Sequence, residues 1–144
     1  MPACAVHSSC GFADAPFVHE NGIRLVGCGP GWCESAVELT PHHLQHTGLP
    51  HGGLIATLAD HTAGGAAFTV APAGDLVLTA EFKLSLLRST RSTRLFCRAE
   101  VVKAGSQLVF VESTVEADED GRRKVLARAS GTLSVLRAER REAA

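Results

Sequence analysis

The sequence predicts an α+β chain in which a curved antiparallel sheet wraps one long central helix. Three observations predict it. Leu54, Ile55, Leu58, Ala59, Thr62, Ala63, Ala66 and Val70 fall on one broad face when each residue is advanced by about 100°, the helical period. Residues 76–136 divide into four strand-like runs separated by short turns, the pattern of an antiparallel meander. A shorter pair of strand-like runs precedes the helix, joined by the strong turn Gly29-Pro30-Gly31.

The elements follow in chain order. Residues 1–13 read as a loose arm and 137–144, RAERREAA, as a charged tail, leaving 14–136 as a single domain. Asp14-Ala15-Pro16 opens a short helix, with Asp14 as its cap and Pro16 in its first turn, and Gly22 ends it. Residues 23–28 and 32–39 make a hairpin. Residues 40–50 form a histidine-rich loop leading to the central helix, which stops before Pro72. Ala73-Gly74-Asp75 turns the chain into a long strand, 76–87. There Leu78, Ala80, Phe82, Leu84 and Leu86 alternate with Thr79, Glu81, Lys83 and Ser85. A hairpin loop at 89–92 leads to strand 94–103, Ala104-Gly105 to strand 107–117, and an acidic turn at 118–121 to strand 124–136.

Composition narrows the function classes. A chain of 144 residues with 45% apolar side chains is long and apolar enough to bury a core. With 14 basic and 15 acidic side chains, net charge −1, it gives no support to a nucleic-acid or membrane-surface partner. No apolar run approaches the length of a membrane span. The opening residues, MPACAVHSSCGFADAPF, lack the basic start and long apolar core of a signal peptide, so a cytoplasmic location is expected. The five cysteines, Cys4, Cys10, Cys28, Cys33 and Cys97, are odd in number and contain no Cys-x-x-Cys pair. They read as reduced thiols, not as a disulfide framework or a zinc ribbon.

The chemistry points to the far side of the central helix. Gly53, Ala56, Thr57, Gly64 and Ala67 lie there, with the single carboxylate of Asp60 among them. Gly64 and Gly65 should each weaken a helix by about 1 kcal/mol relative to alanine, which the close approach of another backbone or a ligand would offset. A second copy of the chain would supply such a neighbour, giving at least a dimer with a site between subunits. At the start of the helix, Gly52 and Gly53 leave backbone N–H groups unscreened by side chains. The first N–H groups of a helix lack helical acceptors and carry partial positive charge, which suits an anion or a polarised carbonyl oxygen. Asp60 follows Gly52 by eight residues, a little over two turns, so one substrate is expected to touch both.

The stretch QHTGLPHGGLIATLAD, residues 45–60, resembles the helix-entry motif of the hotdog-fold thioesterases. It looks closest to the phenylacetate-pathway branch, whose pattern is a polar amide residue, a glycine, His-Gly-Gly and then a helical Asp. LTAEFKLSLLRST, residues 78–90, looks like that family's next strand, and the resemblance spans roughly residues 15–135. It implies a hotdog fold and an acyl-CoA thioesterase that needs no cofactor and no metal. It also implies a homodimer as the minimal active unit, and two dimers of this fold can pair further into a homotetramer. Asp60, from the partner subunit or its own, matches the carboxylate that acts as general base or nucleophile on the thioester. Gly52 matches the backbone N–H that polarises the thioester carbonyl. Gln45 falls where many relatives carry the shorter Asn and is assigned to positioning water or the carbonyl. Thr79 matches a hydroxyl that orients the attacking water in some relatives, set against an ordinary strand threonine. His51 stands beside the oxyanion site, with a structural imidazole as the blander reading. Gly53 joins the substrate-binding set. In LLRSTRSTRLFCRAE, Arg88 and Arg91 are candidates to hold coenzyme A phosphates, against a solvated hairpin.

Two other readings stand beside this one. His42, His43, His46, His51 and His61 crowd around Asp60 in sequence, which suits a metal-dependent hydrolase, although no His-Glu-x-x-His motif occurs. The same fold also suits a protein that binds acyl-CoA or another small ligand without turning it over.

Overall fold

A computed structural model describes residue 12 and residues 15–137. A short helix α1 (Pro16–Glu20) precedes a hairpin of β1 (Arg24–Gly29) and β2 (Trp32–Glu38). The hairpin closes on Pro30-Gly31, with Gly31 at φ +79°, a backbone conformation that glycine adopts without strain. A single 3-10 turn, Pro41–His43, and a loop lead to the central helix α2 (Gly52–Phe68). Four long strands follow: β3 (Leu76–Leu86), β4 (Arg94–Ala104), β5 (Leu108–Glu119) and β6 (Arg122–Leu136).

One six-stranded antiparallel sheet results, in the order β1-β2-β4-β5-β6-β3, and α2 lies against its inner face. The core forms where the two meet. Leu95, Cys97 and Ala99 of β4, Val109, Val111 and Val115 of β5, and Leu126 and Leu133 of β6 point inward. Leu54, Ile55, Leu58, Ala59, Ala63 and Ala66 meet them from the helix. Leu58 is fully buried, and its truncation to alanine would cost about 2–5 kcal/mol.

The helix begins at Gly52, as its N-terminal glycines suggest, and ends at Phe68, so Val70 of the predicted apolar face lies beyond it and is exposed. Ala67, expected on the far side, is fully buried. At α1 the cap position is Ala15, with no side-chain cap hydrogen bond. The capping role given to Asp14 falls on a residue outside those described, as do most of the arm, the tail beyond Arg137, and Cys4 and Cys10. Cys28, Cys33 and Cys97 are buried thiols.

Two expectations are corrected. The last four strands are not one meander: β3 lies at the far edge of the sheet, paired with β6, and β4 pairs with β2. Residues 87–93 are therefore not a hairpin tip but a crossover along the sheet's end. Leu87 and Arg88 both donate backbone N–H bonds to the Leu126 carbonyl of β6, and Thr90 Oγ1 donates to Glu119 of β5 at 2.6 Å. The Leu39 N–H then donates to the Thr93 carbonyl beside β2. Strand periodicity carries no information on which strands pair across such a distance.

The second correction concerns the alternation in β3. Its register with β6 shifts between Thr79 and Glu81, a β-bulge that leaves Ala80 extra. Before the bulge Thr79 faces the helix and Leu78 faces out, 56% exposed. After it Phe82 and Leu84 pack on the core, so Glu81, Lys83 and Ser85 face out. Thr79 thus shares the inner face with Phe82 and Leu84, not the outer face with Glu81 and Lys83.

Candidate active site

The helix entry is built by a histidine cap. His51 occupies the N-cap position of α2, and its Nδ1 accepts the Gly53 N–H at 2.8 Å. The Leu54 and Ile55 N–H groups bond the His51 carbonyl. Of the first four helical donors, the Gly52 N–H alone has no acceptor among the described residues. His51 thus has a structural part as the helix cap through Nδ1, and Gly53 has its N–H already engaged. A Cβ on Gly53 would lie 2.9 Å from that imidazole nitrogen, so the cap itself calls for glycine.

The Gly52 end opens on a cleft of about 330 Å³ lined by Gln45, Pro50, Ile55, Leu86, Arg88 and Leu126, among others. Gln45 is fixed through its backbone: its N–H donates to the Leu49 carbonyl, and its own carbonyl accepts the Gly48 N–H. Leu86 presses against the helix entry, where a Cβ on Gly52 would be 3.2 Å from Leu86 Cδ1. These leucines and Ile55 were not singled out from sequence, since nothing in a strand pattern tells a cleft wall from a core position.

Arg88 joins the cleft from the crossover, and the Arg91 guanidinium lies 4.0 Å from the Cβ position of Gly48 in the facing loop. Among the described residues neither arginine is in an ion pair. The others of the series are committed to the outer face of the sheet: Arg94 pairs with Glu38, and Arg98 with Glu34 and Glu100. The crossover is tied down by Glu119, whose carboxylate accepts from Thr90 and pairs with Lys124 at 3.1 Å. The Thr90 hydrogen bond, then Lys124, and to a lesser degree the charge of Arg88 hold that carboxyl below its ordinary range.

Asp60 stands on the open flank of α2, where Thr79 Oγ1 donates to its Oδ1 at 2.7 Å. Thr79 reaches it because of the β3 bulge. Gly64, one turn further along the same flank, has no described residue within 4 Å of where a Cβ would stand. Asp60 and Gly52 are brought to the same side but not together. Eight residues at about 1.5 Å each separate them by about 12 Å along the helix, so within one chain they cannot flank the same carbonyl carbon. Of the two sources of Asp60 that the sequence leaves open, its own subunit or a partner, this spacing disfavours the first.

The histidines disperse. Buried His43 accepts the Thr40 N–H on Nδ1 and donates from Nε2 to the Asn21 carbonyl. Burial, above all, lowers its pKa, against the raising effect of the Asn21 bond. His42 bonds Thr40, and His61 bonds the Phe12 carbonyl through Nε2. Among the described residues no three His, Cys, Asp or Glu side chains gather as a metal-binding group. No helix of the described residues is long and apolar enough to cross a membrane.

Comparison with known proteins gives a consistent result. The family model for the thioesterase superfamily matches residues 47–124, from the loop before the helix into β6. A relative in Saccharolobus solfataricus that carries an esterase name is 36% identical over 115 residues, 80% of this chain and 79% of its own. The crystal structure of a thioesterase family protein from Silicibacter pomeroyi superposes with a TM-score of 0.85 at 33% identity, covering 88% of this chain and 93% of that one. A mutant of a phenylacetic acid degradation protein from Thermus thermophilus superposes at 0.74 with 25% identity, covering 83% and 98%.

Proposed function

The chain belongs to the thioesterase superfamily and has its hotdog fold, and from that premise we propose that it hydrolyses acyl-CoA thioesters at sites formed between two copies. The observation that carries the proposal is the Asp60 carboxylate, held by Thr79 on a helix flank where, at Gly64, no other described residue approaches within 4 Å of a Cβ position. The 12 Å offset from Gly52 supports a dimeric unit, in which Gly52 of one copy and Asp60 of the other face a single thioester.

In this reading the Gly52 N–H donates to the thioester carbonyl oxygen and stabilises the negative charge that develops there. As a general base, Asp60 takes a proton from water, the hydroxyl adds to the carbonyl carbon, and the tetrahedral intermediate collapses with cleavage of the C–S bond. The coenzyme A thiolate leaves and is protonated, and the acid is released. As a nucleophile, Asp60 adds to the same carbon and expels the thiolate. Water then cleaves the acyl anhydride and regenerates the carboxylate. Thr79 orients the carboxylate in either route, and Gln45 positions water or the carbonyl from the cleft. Arg88 and Arg91 on the crossover supply positive charge for the coenzyme A phosphates at the rim.

The test is thiol release from a panel of short, long and aromatic acyl-CoAs, with wild type and Asp60→Asn side by side, with and without chelator. Release that is chelator-insensitive and collapses in the variant supports the reading and begins to name the acyl group. Absence of release from every member, with binding retained, replaces it with a ligand-binding protein. Loss to chelator that added metal restores would favour a metal hydrolase instead.

A further inference from the structure

The buried side of α2 changes character next to Asp60. Before it, Leu54, Ile55 and Leu58 reach into the sheet. After it come Thr62, Ala63, Gly65, Ala66 and Ala67, none larger than threonine. Small side chains let a helix lie close to a sheet but leave few knobs to resist its sliding or rotating.

Three buried hydroxyls stand at this transition. Ser113 Oγ of β5 donates to the Ala59 carbonyl at 3.0 Å. Thr62 Oγ1 donates to the Leu58 carbonyl at 2.6 Å. Its only proton is used there, so Ser35 of β2 is the donor in the 2.6 Å bond between Ser35 Oγ and Thr62 Oγ1. The carbonyls of the two residues just before Asp60 therefore each accept a hydroxyl in addition to the helical N–H. Ser113 has alanines as its register partners on both sides, Ala99 and Ala129, which leave its hydroxyl room to reach the helix backbone. Ser113 and Ser35 lie two strands apart in the sheet and two residues out of register, since Ser35 faces Cys97 and Cys97 faces Val115, a separation of roughly 12 Å. Two directional bonds that far apart oppose rotation of the helix as well as translation.

We infer that Ser113, seconded by the Ser35–Thr62 pair, is a positioning residue that sets α2 at the depth and rotation where the Asp60 carboxylate meets Thr79. The effect on rate rests on the catalytic reading of Asp60; the effect on geometry does not. Ser113→Ala is a clean variant, because the Ala59 carbonyl keeps its helical N–H and no buried group is orphaned. It should lower kcat by about tenfold, as displaced catalytic groups do, with KM within about twofold of wild type and little change in unfolding midpoint. Ser113→Thr, which keeps the hydroxyl, should restore kcat. In an Asp60→Asn background Ser113→Ala should cost nothing further. In crystal structures of wild type and Ser113→Ala, the 2.7 Å separation of Thr79 Oγ1 and Asp60 Oδ1 should lengthen in the variant. An unchanged kcat and separation would overturn the inference, as would an equal loss of rate in both backgrounds. Full hydrolysis by Asp60→Asn would remove the catalytic reading instead, and the separation alone would then decide the inference.

Discussion

Gly64 and Gly65 are neighbours of the same type on one helix, and they face opposite situations. A Cβ on Gly65 would lie 2.7 Å from Cys33 Sγ and 3.2 Å from the Phe12 ring, so only glycine fits that flank of α2. A Cβ on Gly64 would meet no described residue within 4 Å. One flank is completed by the chain itself: Phe12 is buried against it, its carbonyl bonded to His61 and its ring 4.2 Å from the imidazole. The other flank, with Thr57, Asp60 and Gly64, has no such neighbour at Gly64 among the described residues. Among the described residues, close packing thus offsets the cost of about 2 kcal/mol that the glycine pair imposes on the helix at Gly65 alone.

The largest expected effect lies on the open flank. Asp60→Asn should reduce thioester hydrolysis by about 10²-fold or more while leaving the melting temperature near wild type, since no packing contact is lost. A variant that instead unfolds would mean the flank is structural after all. Gly65→Ala comes next and acts on the other side: forcing a methyl into Cys33 and Phe12 should destabilise by about 1–3 kcal/mol in denaturant unfolding, and Cys33→Ala in the same chain should recover part of it. Gly64→Ala should do the opposite, stabilising the isolated chain by about 1 kcal/mol. If that gain comes with a weaker dimer in sedimentation, a second copy lies against Gly64; if the dimer tightens, it lies elsewhere.

The smallest effect concerns the loop that delivers the helix. His43 is buried with its pKa lowered, so the unfolded chain takes up a proton at its ordinary value of 6.5 while the folded ring resists. The stabilisation is complete above that value and is lost as pH falls from 6.5 through the lower folded pKa. Melting temperature should decline over that range, and less steeply in His43→Gln.

What could be read from the sequence followed from how local each signal is. The helix from Gly52, the Pro30-Gly31 hairpin and all six strands were legible within a few residues, because period and turn chemistry are short-range. Asp60 and Gly52 stood out for the same reason, as odd members of a small-residue helix and its entry. The placement of β3 beside β6 was hidden, since pairing across 50 residues leaves no local trace. So was the difference between Gly64 and Gly65, which depends on where Phe12 and Cys33 arrive. The part of His51 as a cap was available in principle: a polar side chain just before the first helical turn is a cap signal.

The bulge in β3 divides that strand into two rulers laid end to end with their marks one step out of phase. No exchange of one side chain for another can bring them into step; only a change in length can. Removing Ala80 would restore a continuous pleat, and either Thr79 would turn from Asp60 or Phe82 and Leu84 would turn from the core. The address of Thr79 is therefore written in the number of residues, and a deletion there should be felt far more than any substitution of Ala80 itself.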